Sequence, residues 1–228
     1  MEIYVAIDDT DSLELGATGQ SANELRRLIE DRNWGKTEAV TRHQLLLHPD
    51  IPYTSHNSAM CFKAVMGVDK LDEFIACAGK FLQETSAPGS DPGLCVAVKE
   101  NIKNMEELLS FGYKAKEEVL TKAEAYKTAE HCGLHISEHG GTGLGIIGAL
   151  AGIGLRITGN DGRFQGRMQL GNSGETIAVG EIISKTEIDE VQSIDGQVLA
   201  NHETMVIGEK IKTVLLEGKR ILLVYREG

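Results

Sequence analysis

The sequence has no run of about 18 apolar residues, so nothing in it reads as a transmembrane helix. It also lacks a basic segment leading into an apolar one at its start. The strand-like alternation Glu2-Ile3-Tyr4-Val5-Ala6-Ile7 begins at once, and no secretory signal is expected. Four cysteines (Cys61, Cys77, Cys95, Cys132) are scattered without any C-x-x-C pair. That is too sparse for a disulfide framework or a paired zinc site, and the expectation is reduced, mostly buried thiols in a cytoplasmic protein. There is no long basic run: acidic residues outnumber basic ones 34 to 23, for a net charge of −11. Proteins that grip a nucleic-acid backbone gain affinity by neutralising phosphates with Lys and Arg, so extensive nucleic-acid contact by this chain alone is not expected. A small phosphate-bearing ligand is still compatible, because a metal ion can carry the countercharge. No internal repeat or low-complexity stretch is present.

What is present is an ordinary globular composition, with 228 residues, 41% of them apolar and 25% charged. That is enough to bury a real core in one large domain or two small ones. Residues 3–7 read as a buried strand. Residues 18–31 read as a helix with Ala22, Leu25, Leu28 and Ile29 on one stripe and Thr18 or Ser21 as its cap. Strand patterns occupy 37–48 and 58–67, and two prolines in His48-Pro49-Asp50-Ile51-Pro52 enforce an extended bend. A helix fits 69–84 with Asp69 as cap. A turn-rich Pro88-Gly89-Ser90-Asp91-Pro92-Gly93 leads into a short strand at 94–98. Helices fit 103–111, 114–131 (stopping at Gly133) and 144–153. After residue 162 short strands and turns dominate, with Asp195-Gly196 as a hairpin turn and 220–226 as a closing strand. The expected class is α/β or α+β, with mixed sheets, helices and a smaller strand-rich C-terminal portion.

Chemistry concentrates in two stretches. Asp8, Asp9 and Asp11 follow the first strand directly, where loops of α/β proteins converge on ligands. Carboxylates so close repel unless a cation or donors compensate, and magnesium suits one or two carboxylates plus waters and phosphates. One aspartate suffices for an Asx turn or cap; three point to a metal site. The helix from Thr18 aims N–H groups back at this turn. The second stretch, Glu138-His139-Gly140-Gly141-Thr142-Gly143-Leu144-Gly145, opens a helix and exposes amides suited to phosphate. It has no terminal Gly-Lys-Ser/Thr and is no clean dinucleotide fingerprint. Gly145, Gly148 and Gly152 equally suit a closely packed helix, and the two readings stay open. Arg42, Lys63 and Arg156 are the cations available to stabilise developing charge. His131, His135 and His139 fall four apart, but Gly133 interrupts any helix that would align them as metal ligands.

The segment Ile7-Asp8-Asp9-Thr10-Asp11-Ser12, with Gly16 and Thr18, resembles the start of the archaeal tRNA-isoleucine agmatinylcytidine synthetases, the TiaS family. The stretch from Arg42 through Pro49-Asp50-Ile51-Pro52-Tyr53 to Asn57 and Ala59 is similar to that family's next motif. Asp91-Pro92-Gly93 resembles its Asn-Pro-Gly turn, and residues 143–154 resemble its glycine-rich helix start. All four occur in the same order over roughly the first 155–170 residues, which is more specific than any one of them. The resemblance implies a kinase-like part paired with a ferredoxin-like one, ATP as substrate, magnesium at the aspartates and a phosphate-accepting role for Thr18. Thr54-Ser55-His56 stands where the family carries a basic Lys-Thr-Arg-Gly stretch. No OB-fold-sized extension or cysteine zinc ribbon follows, so modification of tRNA with agmatine is not expected.

Together these readings define a kinase-like part at 1–112 and a ferredoxin-like or strand-rich part at 113–228. Function is expected to be that of a magnesium-dependent, ATP-binding phosphotransferase or nucleotide hydrolase. Asp8, Asp9, Asp11 and Thr18 are its catalytic candidates, the three aspartates its metal ligands, and Gly141, Thr142, Gly143, Gly145 and Arg42 its nucleotide contacts. The acceptor would be a small molecule or a protein, and a homo-oligomer is left open. The alternatives are a non-catalytic nucleotide or metabolite sensor and an RNA-modification subunit that needs a basic partner.

Overall fold

The computed structural model describes residues 1–11, 17–51, 56–166 and 168–225. The chain divides into two compact units, Met1–Thr158 and Gly159–Gly228.

The first unit begins with β1 (Glu2–Asp8), followed by α1 (Thr18–Asp31), β2 (Gly35–Thr37), β3 (Thr41–Gln44), β4 (Ser58–Met66), α2 (Leu71–Thr85) and β5 (Gly93–Val98). Then come α3 (Met105–Lys114), α4 (Lys122–Cys132), β6 (His135–Glu138) and α5 (Gly145–Thr158). Its strands run β6-β5-β1-β4-β3, with β2 also on β4, and every pairing is antiparallel. The order strand–helix–two strands–helix–strand, with the first strand between the last and the third, is the ferredoxin-like arrangement. It was expected in residues 113–228, and the structure builds it from residues 2–98, around the acidic turn itself.

β1 is central and buried on both faces, which is why five apolar residues run without a break along it. Ile3, Val5 and Ile7 pack with Leu25 and Ile29 of α1 and Phe74 and Leu82 of α2. Tyr4 and Ala6 face the other way, toward Ile146, Leu150 and Ile153 of α5. α3 and α4 complete that second layer, contributing Leu108, Phe111, Ala125 and Ala129 to the same cluster. Residues 112 and 113, where the sequence suggested a boundary, thus lie inside α3, whose Leu108 and Phe111 share a core with α5.

Three local expectations shift for physical reasons. Residues 37–48 form two short strands rather than one, because the chain leaves β4 between Thr37 and Thr41. The helix expected over 114–131 starts only at Lys122, where Thr121 and Glu124 form a reciprocal capping box. It ends as expected at Gly133, in the left-handed region at φ 74°. Neither Thr18 nor Ser21 caps α1, whose N-cap is Ala17 without a side-chain bond; nor does Asp69 cap α2, whose N-cap is Lys70.

The second unit is strand-rich, as expected, with α6 (Val179–Lys185) as an unexpected helix. Its strands are β7 (Arg163–Phe164), β8 (Thr176–Ala178), β9 (Glu190–Ser193), β10 (Thr204–Val206), β11 (Thr213–Leu216) and β12 (Lys219–Val224). Within it β7-β11-β12-β9 are neighbours, β9 and β12 being parallel, and β8 pairs with β10. Glu217 and Gly218, both at positive φ (51° and 74°), turn β11 into β12 in the manner of a primed hairpin turn. Gly196, at φ 89°, closes the turn expected after β9. Val179, Ile182, Ile188 and Val191 form the centre of its own core. With helices on an antiparallel sheet in the larger unit, the fold is α+β.

Candidate functional site

The acidic turn leaves the sheet where β1 ends between its two neighbours. Asp8 lies opposite Gly93 of β5, and Ile7 opposite Leu94 and Met60. The period of the strand points Asp8 toward the α5 side, where its carboxylate is pressed against Gly148: a Cβ built there would lie 1.7 Å from Asp8 Oδ2. Asp9 adopts φ 54°, a conformation Asp tolerates better than most residues, and its N–H donates to Asp8 Oδ1 at 2.9 Å. Thr10 is buried; its N–H donates to Thr18 Oγ1 at 3.3 Å, and its carbonyl accepts the N–H of Ala87 at 3.0 Å. Thr18, first residue of α1, donates its hydroxyl to Asp11 Oδ1 at 2.7 Å. Ser12 to Gly16 and Pro52 to Ser55, which carry part of the sequence motifs, lie outside the described residues.

Burial, reinforced by the neighbouring Asp9 and Asp11 charges, pushes the Asp8 carboxyl up to about 7, against a bond from the Asp9 amide. Burial, then the charges of Asp91 and Asp11, pushes Asp9 up to about 6, against a bond from the Asp91 amide. The turn thus holds a concentrated, poorly solvated negative charge that a hard cation would relieve. Among the described residues no group of three or more His, Cys, Asp or Glu side chains is disposed to hold a metal ion. Magnesium fits the oxygen-only donor set in another way, through one or two of these carboxylates with waters and phosphate oxygens.

The glycine-rich loop meets this turn. Gly145 N–H donates to the carbonyl of Asp91 at 3.1 Å, and a Cβ at Gly145 would fall 2.1 Å from that oxygen. The carboxylate of buried Asp91 accepts both the N–H and the hydroxyl of Thr142. Gly141 (φ 53°) lies against Asp91 Oδ1, and Gly143 (φ 76°) against Glu138 Oε2. Glu138 accepts from Lys122 Nζ at 2.7 Å and Tyr126 OH at 2.6 Å, and the same ammonium donates to the carbonyl of Thr142 at 2.7 Å. Asp91, Lys122 and Glu138 are residues that sequence reasoning did not place in the site. The Asp-Pro-Gly turn was the signal for the first, Glu138 stood at the head of the glycine-rich stretch without a role of its own, and Lys122 gave no signal.

The structure brings Asp8, Asp9, Asp11 and Thr18 together, with Thr142 and Gly145 joined to them through Asp91. Arg42 lies on β3, separated from Ile7 of β1 by Met60 of β4, and its Nε donates to Ser58 Oγ at 3.0 Å. Lys63 and Arg156 are not brought in. Lys63 pairs with Glu2 and Glu38, and Arg156, in the last turn of α5, donates to Glu38 at 2.8 Å. The histidines are not stacked on a helix. His131 contacts Glu107 from α4, whereas His135 and His139 share one face along β6 and both contact the Ser137 hydroxyl, at 3.1 and 2.8 Å. A spacing of four aligns residues on a strand as well as on a helix.

No known protein-family profile matches the chain. It is 32% identical over 158 residues to the uncharacterized protein MJ0921 of Methanocaldococcus jannaschii, covering 68% of this chain and 50% of that protein. The structure is similar to that of a tRNA fluorescent labeling enzyme, with a TM-score of 0.57, 29% identity and coverage of 68% of this chain and 36% of that one. It is similar also to TiaS in complex with tRNA and ATP, with a TM-score of 0.57, 27% identity and coverage of 78% and 39%. The chain therefore spans half the length of the curated relative and under two fifths of these solved chains. With the motif order of its first 155–170 residues and about 78% of its length aligned in this way, the chain carries a TiaS-like N-terminal part.

Proposed function

We propose that the chain binds a magnesium-escorted ATP at the acidic turn and transfers or hydrolyses its terminal phosphoryl group. The observation that carries this reading is the meeting, over the ends of β1 and β5, of buried carboxylates with the glycine-rich start of α5. Magnesium, when bound, neutralises phosphate charge, the main demand of phosphoryl transfer. The chain's own residues have separate tasks. Asp8 and Asp9 hold the cation side, and the backbone of the glycine-rich loop, apart from the Thr142 and Gly145 amides that Asp91 occupies, lines the phosphate side.

Asp11 is placed to take the proton of the Thr18 hydroxyl, which already donates to it. As that proton moves to Asp11, the Thr18 oxygen forms a bond to the terminal phosphorus, the bond to the bridging oxygen breaks, and ADP leaves. A phosphate on Thr18 would lie at the N-terminus of α1, where helix amides favour it. The likeness to a solved complex with tRNA and ATP supports ATP as the nucleotide.

The same likeness favours a second reading in which the phosphoryl chemistry serves RNA modification with a basic partner. Net charge argued against RNA as a partner; the structural likeness restores it as a candidate.

Calorimetric titration of ATP with magnesium and with EDTA tests the site, and equal binding in the two would remove the metal-bridged reading. Incubation with magnesium-ATP followed by peptide mass spectrometry tests the chemistry. Phosphate is expected on Thr18 in the wild type and absent from Asp9→Asn, which keeps the side-chain shape but removes a charge.

A further inference from the structure

We infer that Asp91 is a positioning residue that latches the glycine-rich loop to the acidic turn, holding the two halves of the nucleotide site as one unit; this rests on the function proposed above. Three groups of this one residue reach three parts of the site. Its N–H lies near enough to the Asp9 carboxylate to hold that group's pKa down against burial. Its carbonyl accepts the N–H of Gly145, first residue of α5. Its carboxylate accepts the N–H and the hydroxyl of Thr142, the latter at 2.5 Å.

The loop is shaped around it. A Cβ at Gly141 would fall 1.8 Å from Asp91 Oδ1, and one at Gly140 would fall 3.1 Å from the Pro92 ring. On the far side of Thr142, Lys122 grips the carbonyl and ties it to Glu138. Thr142 is thus held from both sides, and the latch sets where Gly141 and Gly143 present their backbones. A second consequence is specific to this site. The amides of Thr142 and Gly145 are committed to Asp91 and are not offered to the nucleotide.

A loop anchor and a positioning residue differ in what their loss does to ligand binding. Asn at this position can still accept the Thr142 N–H, and its amide can donate to the Thr142 hydroxyl, whereas Ala can do neither. Hydrogen exchange across residues 139–145 of the ligand-free protein is expected to quicken by about tenfold or more in Asp91→Ala and to stay near wild type in Asp91→Asn. Calorimetry with magnesium and a non-hydrolysable ATP analogue is expected to show a Kd raised by about tenfold or more in Asp91→Ala and restored in Asp91→Asn. Should Asp91→Ala fail to fold, Asp91→Ser, too short to hold both donors, is measured against the same criteria.

Unchanged exchange in the Ala variant overturns the latch. Quickened exchange with unchanged Kd reduces Asp91 to a loop anchor and overturns the positioning role. Loss of binding in Asp91→Asn equal to that in Asp91→Ala assigns the effect to charge and also overturns it. If the wild type binds no nucleotide, the positioning role falls with the function proposed above. The exchange data then show independently whether the latch exists.

Discussion

Asp8 is the residue on which the packing and the chemistry of the site bear most directly. The α5 backbone at Gly148 presses on its carboxylate and removes it from water. Gly148→Ala would put a methyl group where Asp8 Oδ2 now lies, and overpacking of this kind costs about 1–3 kcal/mol. Chemical denaturation should show that loss, and nucleotide affinity should fall with it because Asp8 must move. Burial also fixes the sign of a pH effect. The folded-state value of Asp8 is raised from 3.8 to about 7, so its stabilising contribution is complete below 3.8 and is lost as pH rises through about 7. In EDTA the protein should therefore lose stability between about pH 4 and about pH 7, and Asp8→Asn should flatten that slope. Parallel urea profiles for the two proteins would contradict the buried, crowded carboxyl.

At the scale of the element, α1 starts without a side-chain cap because Ala17, which has no acceptor, stands at its N-cap, and the hydroxyl of its first residue, Thr18, donates to Asp11. Thr18→Ala should abolish phosphate incorporation and, by leaving the buried Thr10 N–H without its acceptor, cost about 1–3 kcal/mol of stability; mass spectrometry reads the first and thermal melting the second. α4 illustrates the opposite case, a helix bounded by local chemistry at both ends. At Gly133→Ala the left-handed backbone and close approach to Lys103 and the Asn101 carbonyl should cost about 1 kcal/mol, read from the melting midpoint. The capping box Thr121-x-x-Glu124 was legible in the sequence and marks the true start of α4. The helix-forming Lys114 to Glu118 run hid it, since propensity alone does not say where the chain turns. The period of the histidines was equally legible, but only the structure decided that the strand direction of β6 aligns His135 with His139 while His131 stays on α4.

For the whole molecule, each unit has its own core, and every residue of the candidate site belongs to the first. Residues 1–158 expressed alone should fold cooperatively and bind magnesium-nucleotide with the affinity of the full chain; a large loss would assign part of the site to the second unit. The net charge of −11 sets the form that RNA binding would take. Few phosphates can be neutralised, so fluorescence anisotropy with tRNA should show a shallow dependence of log K on log salt. A steep dependence would reveal a basic surface that composition conceals.

The sequence by itself determined the local features that short-range physics dictates. An apolar run long enough for one strand placed β1, a helical stripe placed α1, and three carboxylates within four residues at the end of a strand marked the acidic turn. The order of four motifs pointed to a TiaS-like part without any long-range information. Tertiary structure decided what depends on pairing. Only the antiparallel order of the sheet put β1 between β4 and β5 and so made residues 2–98, not 113–228, the ferredoxin-like arrangement. Only that order brought Asp91 from the start of β5 beside Asp9 at the end of β1, where one residue joins the acidic turn to the glycine loop. Neither fact has a local signature, because strand partners are chosen by burying both faces of a sheet, and residues about 80 positions apart become neighbours only once that choice is made.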